Sequence, residues 1–122
     1  MTHRLERDPL GPVRVPEDAW YGAQTARALE NFPISGMRAH AALVRATIII
    51  KLACAEANGA LKRLPAETAG AIARAAREIL QGSLRDQFVV DVYQAGAGTS
   101  HNMNANEVLA NRAEVLLGGT RG

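Results

Sequence analysis

Residues 96–100, Gly-Ala-Gly-Thr-Ser, stand directly before a segment that spaces Asn102, Asn104, Asn106 and Asn111 along one stretch of chain. None of these groups is charged, so the chemistry they offer is hydrogen bonding. Gly96, Ala97 and Gly98 are small enough to expose backbone N–H groups, Thr99 and Ser100 add hydroxyl donors, and a helix starting here adds partial positive charge. Such a set can hold an anion and release it. A carboxylate fits better than a phosphate, because the glycine spacing and the lysine of a P-loop are both absent. A purely structural account competes with this one: a tight turn, Thr99 or Ser100 as N-cap, and asparagines that satisfy buried backbone groups.

Two titratable residues lie within the stretch. His101 has no second His, Cys or carboxylate at ligand spacing, so it reads as a surface or cap residue and no metal site is expected. Glu107 has the chemistry of a base, but its place one turn into the helix fits capping and dipole complementation better.

The elements that must position these groups are mostly helical. A helix is expected from His101 or Asn102 to about Leu117, where Gly118-Gly119 stops it. Asparagine is a poor helix former because its amide competes for nearby backbone groups, so this density is a cost that packing alone does not explain. From Arg38 to Lys62 the polar residues fall on two narrow stripes, Arg38, Arg45 and Glu56 on one and Lys51, Asn58 and Lys62 nearly opposite. Both faces between them are apolar, which predicts a helix covered on two sides. The next helix has Pro65 in its first turn, an apolar stripe through Ala69, Ile72, Ala73, Ala76, Ile79 and Leu80, and Gly82 as its cap. Upstream, Asp18 to Asn31 is a weaker helix. Arg4 to Pro16, broken by Pro9, Pro12 and Pro16, suits a short extended hairpin.

Composition agrees with a mainly α fold and limits the partners. Apolar residues make up 48% of the 122 but aromatics only 4%, so the core must be built from small and aliphatic side chains on closely packed helices. That length suits one domain, residues 1–122, or a piece of one. A net charge of +2, with its basic residues dispersed, lacks the footprint of a nucleic-acid or anionic-membrane binder. Cys54, the only cysteine, sits among Leu52, Ala53 and Ala55 and is expected to be a buried thiol. The aliphatic cluster Ile48–Ile50 is far too short to span a bilayer, and a soluble, cytoplasmic protein is expected.

The stretch from Gly96 to Asn111 resembles the aspartase/fumarase superfamily, in which a Gly-(Ser/Ala)-Gly-Thr loop runs into Asn-Met-Asn-x-Asn-Glu-Val-(Leu/Ile)-Ala-Asn. The resemblance extends to "VPEDAWYGAQTARALENFPISG", residues 15–36, and to "LERDPLG" near the start. It implies the N-terminal helical domain of that fold, and a reversible anti elimination that yields fumarate with no metal or organic cofactor. "DVYQAGAGTS" looks more like aspartate ammonia-lyase, with class II fumarate hydratase as the alternative; a non-catalytic helical binding module is the alternative of another class. By resemblance Thr99 binds substrate near its α-carboxylate and amino group, and Gly98, Ala97 and Ser100 line the same pocket. By resemblance Arg27 matches an arginine that matters in aspartases, and the sequence leaves two roles open for it, contact with substrate or a surface or interface ion pair. The resemblance also implies that the general base, the threonine-histidine pair and the mobile serine loop with its lysine lie beyond Gly122. On that expectation no catalytic residue is in this fragment, which is truncated and inactive alone. Its parent is a homotetramer acting on a small dicarboxylate or amino acid.

Overall fold

A computed structural model describes all residues 1–122. The chain opens with an antiparallel hairpin of β1 (His3–Asp8) and β2 (Gly11–Pro16), in register from His3 opposite Pro16 to Asp8 opposite Gly11. Pro12 and Pro16 are tolerated because a two-stranded ribbon is all edge. The Asp8 carboxylate accepts the Leu10 N–H at 2.9 Å, and Gly11 takes a φ of +114° at the turn. Four helices follow: α1 (Ala23–Asn31), α2 (Ala41–Ala60), α3 (Ala66–Leu80) and α4 (Thr99–Leu116). The architecture is the mainly α fold with an N-terminal hairpin that the sequence predicts.

Small side chains let the helices close on one another. Val44 and Ile48 of α2, Ala75, Ala76 and Ile79 of α3, and Ala105, Val108 and Leu109 of α4 form one buried cluster with Phe88 from the α3–α4 connection. A second cluster, Val13, Val15, Ala19, Ala23 and Ala26, joins the hairpin to α1. At the α2–α3 crossing a Cβ on Gly59 would stand 2.8 Å from the Ala69 Cβ, so only glycine allows that approach.

Several boundaries differ from the sequence expectation. α1 starts at Ala23 rather than Asp18, because Arg4 gathers residues 16–21 into a turn and bend: its guanidinium donates to the carbonyls of Pro16, Ala19 and Tyr21. α4 starts at Thr99, two residues before the expected His101. Gly98, in the left-handed region at φ +91°, is its N-cap, so neither Thr99 nor Ser100 caps the helix through its side chain. Pro65 is the N-cap of α3 rather than a first-turn residue, while Gly82 follows α3 at φ +117° and lets Ser83 N–H reach the Glu78 carbonyl at 3.1 Å. Cys54 is exposed, not buried: the adjoining Ala55 takes the inward position on α2. The two apolar faces of α2 are real, since Val44 and Ile48 are buried while Leu43, Ile49 and Ile50 are 52%, 45% and 61% exposed.

Candidate anion site at the start of helix α4

The turn that feeds α4 is set from both sides. Asp91 is buried and accepts four donors: Ser35 N–H at 2.7 Å, Ser35 Oγ at 2.8 Å, Gly36 N–H at 2.8 Å and Tyr93 N–H at 2.9 Å. These bonds, the Tyr93 amide foremost, lower its pKa to about 2, so the carboxylate is ionised throughout the physiological range. Gln94 then bridges forward, donating its amide to the Asp91 carbonyl at 2.9 Å and accepting the His101 N–H at 2.6 Å. Gly96 and Gly98 carry the chain through left-handed conformations, φ +62° and +91°, that other residues adopt only at a cost.

This geometry leaves donors free. Among the first amides of α4, His101 N–H goes to Gln94 and Asn102 N–H to the Gly98 carbonyl at 3.0 Å, but the Thr99 and Ser100 amides meet no acceptor in the chain. Nor do their hydroxyls. Thr99 and Ala97 are exposed, Gly98 is half-buried and Ser100 is buried. Gly96, Ala97 and Gly98 form one wall of a cavity of 290 Å³ whose other side includes Ala39 and Leu43. The arrangement presents uncharged donors at the positive end of an 18-residue helix, which can stabilise a carboxylate.

The N-terminus of α1 shows what an occupied site of this kind looks like. Ala23 N–H donates to Glu6 at 2.9 Å, Gln24 N–H to Glu107 at 3.0 Å, and Thr25 uses both its N–H, at 2.7 Å, and its hydroxyl, at 2.6 Å, on the same Glu107 carboxylate. Glu107 therefore acts as a cap, but of α1 rather than of its own helix. Arg27 lies on α1 in a fork with Asp8, Nε to Oδ2 at 2.7 Å and Nη2 to Oδ1 at 2.8 Å, and also donates to the Gly11 carbonyl. None of its bonds reaches residues 96–100.

Three of the four asparagines bridge neighbouring segments, while Asn106 reaches only Met103 of its own helix. Asn104, fully buried, accepts from Val89 N–H and donates to the Gln87 carbonyl, both at 2.9 Å, and so ties the incoming segment to α4. Asn111 donates to the Trp20 carbonyl at 2.9 Å, and Asn102 accepts from Lys51 at 2.7 Å. His101 departs from its expected surface role: it is buried, with Nε2 2.9 Å from Thr47 Oγ1. The Thr47 hydroxyl hydrogen is engaged by the Leu43 carbonyl at 2.9 Å, so Thr47 accepts from Nε2–H and Nδ1 is left as a buried acceptor without a partner. Burial holds the His101 pKa below its ordinary value. Asp91 and Thr47 escaped sequence reasoning because each acts across more than fifty residues, and Gln94, which bonds only three and seven residues away, because no local spacing marks it.

Residues 11–119 match the family described as Lyase. The chain belongs to this family, the aspartase/fumarase superfamily, and corresponds to its N-terminal domain. It is 55% identical over 116 residues to a class II fumarate hydratase of Halobacterium salinarum, covering 95% of this chain and 25% of that protein. It is 50% identical over 120 residues to an aspartate ammonia-lyase of Bacillus subtilis, covering 98% and 25% respectively. Among solved structures, a fumarate lyase:delta crystallin from Brucella melitensis superposes with a TM-score of 0.95 at 51% identity, over 99% of this chain and 29% of that one. A class II fumarase from Schistosoma mansoni gives 0.94 at 37% identity, over 99% and 26%. The chain spans about a quarter of the length of the curated relatives it matches.

Proposed function

We propose that this chain is the N-terminal domain of an aspartate ammonia-lyase, in which the start of α4 grips one carboxylate of a four-carbon dicarboxylic acid. The observation that carries this reading is the pair of unengaged amides and hydroxyls at Thr99 and Ser100, beside a wall made small by Ala97 and Gly98. In the reaction a base removes a proton from the carbon next to a carboxylate, and the electron pair is delocalised into that group. It then forms the carbon–carbon double bond as the carbon–nitrogen bond breaks, giving fumarate and ammonia. Negative charge grows on the carboxylate oxygens during this step, so fixed donors at a helix N-terminus stabilise the carbanion more than the substrate. Residues 96–100 supply no base, and the family resemblance assigns that role to a segment outside this chain. A homotetramer in which several subunits share each site is consistent with the open apolar face of α2.

Class II fumarate hydratase is the second reading, supported by the 55% identity to the Halobacterium salinarum protein. Water then leaves in place of ammonia, and the carboxylate grip is unchanged. The intact protein carrying this chain is expected to convert L-aspartate to fumarate; turnover of L-malate alone would overturn the aspartase assignment, and turnover of neither would overturn the lyase reading. In the same protein Thr99→Val is expected to lower kcat/KM by roughly a hundredfold, the scale of losing one positioned donor. An unchanged kcat/KM would remove Thr99 from the site.

A further inference from the structure

A second cavity, beside the one at the α4 turn, is lined by arginines. Arg38, Arg45 and Arg85 surround a cavity of 160 Å³ floored by Val44, Ile79, Leu80 and Phe88. Each guanidinium spends a single N–H on the chain: Arg45 Nη1 and Arg85 Nη2 both donate to the Leu80 carbonyl, at 3.2 and 3.4 Å, and Arg38 Nη1 donates to the Asp86 carbonyl at 3.4 Å. Arg4, Arg27, Arg77 and Arg112 are matched by carboxylates, whereas none of these three has one within 4.0 Å. The nearby Asp86 carboxylate accepts from the Gln87 amide instead. Three like charges thus converge on one apolar recess with most of their donors unused, since a guanidinium carries five.

We propose that this cavity binds a small organic oxyanion with an apolar body, an aryl or branched-alkyl carboxylate or phosphate monoester, whose apolar end enters the recess while its oxygens meet the guanidinium forks. The volume is that of a cavity able to take one benzene ring, which is about 150 Å³. The planar forks match two oxygens of a carboxylate or phosphate, and the anion relieves the mutual repulsion of the arginines. The α2 N-terminus at Ala41, which also lines the recess, adds partial positive charge of the same sense. This site does not depend on the lyase reading: it shares Ala39 with the cavity at the α4 turn, but its arginines are not among residues 96–100.

The test is titration of the intact protein with benzoate, phenyl phosphate, inorganic phosphate and benzyl alcohol, followed by calorimetry and ligand-observed NMR. Benzoate or phenyl phosphate is expected to bind at least about tenfold more tightly than inorganic phosphate or benzyl alcohol, because only the organic anions use both halves of the site. The stronger of the two identifies carboxylate or phosphate as the head group, and added salt weakens both. Arg45→Gln and Arg85→Gln are each expected to weaken binding several-fold. Ala41→Leu, at an exposed helical position tolerant of leucine, closes the mouth and abolishes it; Thr99→Val leaves it unchanged. The proposal is overturned if neither organic anion binds, if benzyl alcohol or inorganic phosphate binds equally well, or if the arginine substitutions have no effect in variants that melt normally.

Discussion

Glu107 and Thr99 lie two turns apart on α4 and represent opposite uses of one piece of physics. A helix N-terminus attracts a carboxylate; α1 receives one from within the chain, and α4 holds its donors open. Glu107→Gln turns an amide N–H toward the donors of Gln24 and Thr25 and should destabilise the fold by about 1–3 kcal/mol, read as a lower denaturation midpoint. His101 gives a prediction of the same scale. Its folded pKa lies below the ordinary 6.5, so the unfolded state takes up the proton first. Stability is therefore full above about pH 6.5 and is lost as the pH falls from there through the folded pKa. Chemical denaturation between pH 7.5 and about 5 should show this slope, and His101→Leu should flatten it. A slope that survives the substitution would assign it to another group.

At the scale of elements, what could be read in the sequence is what local chemistry controls. The prolines around Gly11 mark the hairpin, and the alanine stripe from Ala69 to Ile79 marks α3. What could not be read was decided by partners far along the chain. The start of α1 depends on Arg4, Glu6 and Glu107; the burial of His101 depends on Thr47; and the start of α4 depends on Gly98 adopting a left-handed conformation that a tight-turn reading does not distinguish from a side-chain cap. Gly22 is the sharpest case. A Cβ there would overlap the Glu107 carboxylate and stand 2.8 Å from Glu6 Oε2, so a methyl group at this position must push the two acidic caps away from the amides they hold. Gly22→Ala should lower the thermal midpoint even though alanine is the better helix former, and hydrogen exchange should show faster opening of the Ala23 and Thr25 amides. Unchanged exchange at those amides would mean the carboxylates are not what holds α1 in place.

In the whole molecule α2 packs on α3 and α4 through Val44 and Ile48 while Leu43, Ile49 and Ile50 face outward. Burying an aliphatic side chain fully is favourable by about 1.5–3 kcal/mol, so a contiguous face of this kind favours association. Ile50 separates this effect from folding, because a side chain already 61% exposed adds little to the stability of the lone chain. Ile50→Asp should therefore shift the melting midpoint of the 122-residue chain only slightly, with a change of about 0.5 kcal/mol or less. On the proposed reading of a site shared between subunits, the same substitution in the intact protein places a charge in an apolar contact and should reduce the assembled mass seen by sedimentation velocity. It should also lower lyase turnover at low protein concentration and restore part of it at high concentration, since assembly obeys mass action. A variant that keeps its full mass and concentration-independent turnover would show that α2's outer face is left to solvent and would remove it as support for a site shared between subunits.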